Sequence, residues 1–259
     1  MLEQLERIIH ATEIEGIWRR HCQLMEQYGF DRLFFGMTKA RTAEGLGAPE
    51  DFLILSSHED SYARRYIGDG LYLRAPMARW AMSNVGACSW SWVERNAHLL
   101  TPEEREVLAF NRAHGVRAGY TLSFPDLSSR CKGVMALAAP PHVSQAEVDM
   151  IWRRHGRRLW VLNNVLYLKL YHMPYPCNRR KLSHRQREVL EWVGEGKTLQ
   201  DIAQIMGIGV ATVEKHLRLA REKLGVQTTA QALLKASFEN QIFVIEGQRR
   251  PAGLNISLR

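Results

Sequence analysis

Leu182–Val244 reads LSHRQREVLEWVGEGKTLQDIAQIMGIGVATVEKHLRLAREKLGVQTTAQALLKASFENQIFV. Its punctuation predicts four short helices. Ser183 with Gln186 forms a capping box ahead of Val189, Leu190 and Val193, which recur at helical spacing. Gly194 and Gly196 stop that helix, and Thr198 with Asp201 opens a second, with Ile202, Ala203, Ile205 and Met206 as its apolar stripe. Gly207-Ile208-Gly209 is a tight turn, because glycine takes positive φ without steric cost. A third helix runs from about Val210 to Leu224. Val213, Leu217, Ala220 and Leu224 share one of its faces and Lys215, Arg218 and Arg221 another. Gly225 ends it, and a fourth begins at Thr229. Helix, glycine turn and helix with a basic face is the helix-turn-helix plan, whose second helix enters the major groove. The same spacing also fits an ordinary helical bundle with a solvated basic face.

Composition narrows the field. The chain has 259 residues and a formal net charge of +8. From residue 173 onward 14 Lys and Arg stand against 8 Asp and Glu, leaving +6 there and +2 in the first 172 residues. The positive excess therefore lies with the basic helix, as attraction to phosphate requires. No apolar run approaches the roughly 18 residues of a membrane span, and MLEQLERIIH is too acidic for a signal peptide, so the chain is expected in the cytoplasm with no membrane partner. Cys22, Cys88, Cys131 and Cys177 are far apart and are read as reduced thiols rather than a disulfide frame or a metal site. No GxSxG elbow, HExxH or phosphate-binding glycine loop occurs, and the ten histidines are scattered. The expectation is no enzyme, no cofactor and no metal.

Upstream, helices are predicted over 2–11 and from a Thr12/Glu15 cap to Tyr28. Strands are predicted over Arg32–Met37, Asp51–Ser57 and Ala87–Trp92, with short helices over Asp60–Ile67 and Pro76–Met82. Thr101-Pro102-Glu103-Glu104 starts a helix ending at Gly115. Arg117–Phe124 and Cys131–Ala139 make a hairpin, and Ser144 with Glu147 caps a long helix to about Tyr171. Trp152 and Trp160 add bulk to the surface of that helix. The predicted class is α+β: an N-terminal α-β-α sandwich with an antiparallel sheet (1–172), a linker (173–181), an all-α four-helix helix-turn-helix domain (182–247) and a mobile tail (248–259).

The C-terminal stretch resembles the DNA-binding domain of LuxR-type transcription regulators. The matching residues are Leu182-Ser183, Arg185, Arg187-Glu188-Val189-Leu190, Gly196-Lys197-Thr198, Ile202-Ala203, Thr212-Val213, His216 and Lys223-Leu224-Gly225-Val226. Gln186 stands where the family usually has glutamate, and Glu214 where several members carry a basic DNA-contacting residue. The resemblance implies double-stranded DNA as a partner, a homodimer, and Thr198, Ala211, Thr212, Glu214, Lys215, Arg218 and Arg221 as candidate DNA contacts.

Ser57–Trp92 is similar to the signal-binding domain of the same family, on Tyr66, Pro76, Trp90 and the Gly115…Gly119 pair. That domain encloses an acyl-homoserine lactone, and the departures bear on it. The family's lactone-clasping tryptophan falls at Tyr62 and its tyrosine at Tyr66. The aspartate that accepts the ligand amide N–H falls at Ala75, a polar position at Met77, and the hydroxyl that bonds the acyl carbonyl at about Ala136. An amide N–H buried without an acceptor costs about 1–3 kcal/mol. Ordinary lactone binding is thus expected to be weak or absent. Three states stay open: a small, more apolar signal; a pocket filled by its own side chains; or a lactone held through other partners such as His58 or Ser56. A regulator that acts by pairing with another regulator is a further alternative. Each aromatic residue here also fits plain core packing.

Overall fold

The computed structural model describes residues 2–42, 45–47, 49–173 and 181–243. The chain divides into two compact units, Met1–Met173 and Pro174–Arg259. Residues 174–180 of the expected linker and all of the expected tail lie outside the described residues.

Unit one is built on a five-stranded antiparallel sheet of order β2-β1-β5-β4-β3. Its strands are β1 (Arg32–Thr38), β2 (Phe52–Ser56), β3 (Gly86–Ser89), β4 (Gly119–Ser123) and β5 (Lys132–Ala138). The helices are α1 (Leu2–Ile9), α2 (Ile14–Glu26), α3 (Asp60–Gly68), α4 (Pro76–Ser83), α5 (Ser91–Arg95), α6 (Pro102–Ala113) and α7 (Gln145–His172). The period-2 alternation of a strand sends successive side chains to opposite faces. In β1, Leu33, Phe35 and Met37 are fully buried on the face that carries α2 and α7. Phe124, at the end of β4, stacks on Tyr167 of α7 at 4.6 Å. Phe34 and its cross-strand partner Ala136 point the other way, as does Thr121 opposite Ala136. That second face is covered by α3, α4 and α6, giving three layers.

Three details correct the sequence expectations, and a buried histidine adds a fourth feature that they did not foresee. The N-cap of α2 is Glu13, not Thr12, and it makes no side-chain cap. The third strand ends at Ser89; Trp90 has helical backbone angles and starts α5, so its indole folds back over the sheet instead of extending from its edge. Trp152 and Trp160 are half-buried: the first stacks on Tyr120 at 4.2 Å and the second lies 6.2 Å from Phe124. They pack against aromatic residues of the sheet side rather than only adding bulk to the helix surface. His21 of α2 is buried and meets Asn163 Oδ1 of α7 through Nε2 at 2.9 Å. Burial pushes its pKa down to about 4 against that hydrogen bond, so it is neutral at pH 7.

Unit two contains α8 (His184–Gly194), α9 (Leu199–Met206), α10 (Val210–Leu224) and α11 (Thr229–Phe238). Its boundaries follow from local chemistry. Ser183, Thr198 and Thr228 each accept from the backbone N–H three residues on, and Gln186, Asp201 and Gln231 return the bond. A glutamine thus closes the first box in place of a glutamate: its Oε1 accepts from Ser183 N at 2.8 Å. Gly207 ends α9 at φ +65, the left-handed conformation that a turn into α10 requires. Val189, Leu190, Ile202, Val213, Leu217, Ala220, Leu224, Ala232 and Ala236 form the core.

Candidate functional site

On the α3–α4–α6 side of the sheet lie two adjoining cavities of about 90 and 100 Å³. They share Phe34, Tyr66, Ala75, Met77, Thr121 and Ala136 as walls, so they are two lobes of one pocket. All seven ligand candidates from the sequence, Tyr62, Tyr66, Trp90, His58, Ala75, Met77 and Ala136, line one lobe or both. The first lobe adds Phe52, Tyr72, Met82 and Val134 to these walls and is mainly apolar, with Thr38 and Lys132 also on its lining. The second adds Glu94, Asn111, Arg112 and Arg117 to His58 and Tyr62, and is the polar end.

Two hydrogen-bond donors of this pocket, those of Tyr62 and Trp90, are already engaged. Tyr62 O–H donates to Asn111 Oδ1 at 2.9 Å. Trp90 Nε1–H donates to Thr121 Oγ1 at 2.9 Å. Trp90 lies that close to the sheet because Gly119 has no side chain: a Cβ there would stand 2.9 Å from two atoms of the indole ring. Tyr62 is sandwiched in a stack with His58 at 4.4 Å, Tyr66 at 4.9 Å and Phe110 at 5.3 Å. Such stacking fixes ring positions as well as burying area. Burial, reinforced by the neighbouring phenol of Tyr66, holds Tyr62 well above the ordinary phenol range. Burial, with Arg32 adding to it, pushes His58 down to about 4. The polar end therefore contains neutral Tyr62 and His58 at pH 7.

Ala75 contributes only a methyl group to both lobes. It is the N-cap of α4, with no side-chain cap, and Pro76 follows as the first helical residue. The α4 wall is tied to α6 by Arg79, which donates to both oxygens of buried Glu104 at 2.7 and 3.2 Å. Thr121 and Asn111 were not singled out by sequence. Their roles depend on residues 31 and 49 positions away, so no local pattern marks them.

In unit two, Ala211, Thr212, Glu214, Lys215 and Arg218 are exposed on α10, and Arg221 is half-buried. Arg218 donates to Glu222 at 2.7 Å and Arg221 to Thr229 Oγ1 at 3.0 Å. Thr198 is exposed, but its hydroxyl donates to Asp201 Oδ2 at 2.7 Å within the α9 capping box. The structure thus gathers the α10 candidates on one helix and gives Thr198 a capping role at the start of another.

Residues 13–170 match the family described as the autoinducer binding domain, and residues 180–236 match bacterial regulatory proteins of the luxR family. The chain belongs to the LuxR family of transcription regulators. It is 27% identical over 219 residues to the transcriptional activator protein AnoR of Acinetobacter nosocomialis, covering 80% of this chain and 84% of that one. To the transcriptional activator protein CarR of Pectobacterium carotovorum subsp. carotovorum it is 25% identical over 215 residues, covering 78% and 82%. The fold is like that of the N-acylhomoserine lactone dependent LuxR family transcription factor CepR2 from Burkholderia cenocepacia. There the TM-score is 0.50 at 16% identity, over 65% of this chain and 94% of the other. This LuxR-type regulator accordingly combines an autoinducer-binding domain with a DNA-binding domain and is not an enzyme. Among the described residues no helix is long and apolar enough to cross a membrane.

Proposed function

We propose that this LuxR-type regulator is a dimeric, sequence-specific DNA binder of the cytoplasm whose pocket discriminates against ordinary acyl-homoserine lactones. One observation carries the proposal: Ala75 and Ala136 wall both lobes with methyl groups, and these are the positions at which the family resemblance implies an acceptor for a lactone amide and a donor for its acyl carbonyl. Two supporting facts point the same way. The donors of Tyr62 and Trp90 are spent on Asn111 and Thr121. The lobes, at about 90 and 100 Å³, are small beside the ~300–1,000 Å³ of common ligand pockets. The pocket suits a compact, mainly apolar signal, with Tyr62, Tyr66, Trp90, His58, Ala75, Met77 and Ala136 around it. DNA contact is assigned to the exposed residues of α10 (Ala211, Thr212, Glu214, Lys215 and Arg218), with Arg221 beside them; a dimer would match two-fold half-sites.

A second reading has its own support. The ring of His58 is neutral at pH 7, lines the polar lobe and makes no side-chain hydrogen bond with a described residue. It offers an acceptor to a lactone N–H. Native mass spectrometry of the protein expressed without added lactone, followed by thermal melts against a lactone panel, separates the two. An unmoved melt with every lactone supports discrimination. A melt raised by a lactone at sub-micromolar concentration refutes it and favours His58.

A further inference from the structure

One residue on the outward face of α10 is not accounted for by phosphate attraction. Val213, Leu217, Ala220 and Leu224 are buried in the core, while Thr212, Glu214, Lys215 and Arg218 are exposed. Glutamate four residues before arginine is the favoured orientation for an ion pair along a helix, and Arg218 stands four residues after Glu214. Yet Arg218 Nη1 donates to Glu222 on the next turn, at 2.7 Å. Glu214 has no ion pair or side-chain hydrogen bond with any described residue. Its carboxylate stands open to solvent in the N-terminal half of the helix, the half that meets base edges when such a helix docks.

We infer that Glu214 reads a cytosine, accepting from the exocyclic N4 amino group in the major groove and rejecting the other bases at that position. The inference rests on α10 being the groove-entering helix. A carboxylate only accepts, so guanine O6 and N7 and thymine O4, all acceptors, repel it. Adenine offers its N6 amino group beside the N7 acceptor, so it ranks second. Cytosine carries N4 beside a C5–H and brings no such repulsion. Phosphates repel the carboxylate as well. Glu214 therefore lowers affinity for DNA at large while raising discrimination between sequences, a repulsive element of specificity. Lys215 and Arg218 beside it supply phosphate contacts that hold the register.

The test is selection of sites by the full-length protein from a pool of random duplexes at fixed salt. Wild-type sites are expected to carry C·G at one position of each half-site. Replacing that cytosine by an analogue without the exocyclic amino group should weaken binding by roughly tenfold. Glu214→Ala should remove that difference and leave the other positions of the site unchanged. Glu214→Gln should move the preference toward adenine, because a carboxamide pairs with N6 and N7 together. Glu214 is exposed, so both variants are expected to keep the wild-type melting temperature. The inference is overturned if Glu214→Ala selects the same bases and merely binds every duplex more tightly. If the wild-type protein selects no sequence at all, the DNA-reading role of α10 fails with it, and the two failures are told apart.

Discussion

Giving the pocket back its acceptor is the sharpest perturbation. Ala75 is 8% exposed, walls both lobes, and has the extended backbone of an N-cap, φ −70 and ψ 139, ahead of Pro76. Aspartate is among the best N-cap residues, and replacing Ala there commonly gains about 0.5–2 kcal/mol. One carboxylate oxygen of Ala75→Asp should accept from the Met77 N–H in the first turn of α4, since Pro76 has none and Ala78 N–H already donates to the Ala75 carbonyl. The helix dipole favours a negative charge at that end. The second oxygen then faces the lobes. A hydrogen bond to a charged acceptor contributes about 1.5–3 kcal/mol, which is roughly tenfold to a hundredfold in affinity. The assay is titration calorimetry of N-hexanoyl homoserine lactone against wild type and variant, with melts of both in the absence of ligand. The variant should melt within a few degrees of wild type and bind the lactone at least tenfold more tightly. Equal affinities would refute the idea that the missing acceptor limits lactone binding. A tight wild-type complex would refute it as well.

Other outcomes follow from the same geometry. Gly119→Ala would bring a Cβ against the Leu137 carbonyl oxygen and within 2.9 Å of the Trp90 ring, so it should destabilise unit one by about 1–3 kcal/mol and shift the tryptophan emission. An unchanged melt and spectrum would count against the close approach of Trp90 to β4. Lys215→Ala should reduce the steepness of the salt dependence of DNA binding by about one unit, with a similar loss on every sequence; an unaltered slope removes Lys215 from the interface. His21 and His58 have folded pKa values lowered to about 4, below the unfolded value of 6.5. The unfolded chain then binds more protons, so their contribution is full above pH 6.5 and is lost as pH falls toward 4. The melting temperature should fall steadily between pH 6.5 and 5, where carboxylates titrate little, and His21→Gln should flatten part of that fall. A flat wild-type profile over that window argues against buried neutral histidines.

Much of the C-terminal unit was legible because its signals are local. Ser183 with Gln186, Thr198 with Asp201, and Gly207 act across three residues or one backbone angle, so the sequence alone places the helix ends. The apolar stripe of α10 is likewise a matter of spacing, and Val213, Leu217, Ala220 and Leu224 are all buried. Four of the five strands and the long capped helix α7 were legible for the same reason. Thr12 misled because a good capping residue is only a preference, and the backbone turns at Glu13. Trp90 misled because a short aromatic run has no period of its own.

The sequence, read through its resemblance to the family, named Tyr62, Tyr66, Ala75 and Trp90 as candidates for a sensor pocket. It could not determine what those side chains do there. Only the tertiary structure decided that the Tyr62 hydroxyl is spent on Asn111, that the Trp90 indole is spent on Thr121, and that Arg218 turns to Glu222 and leaves Glu214 open. The first two bonds join residues 49 and 31 positions apart, which meet only because α6 and β4 pack beside them. For the third, two equally spaced partners competed, and side-chain geometry, not sequence distance, chose between them.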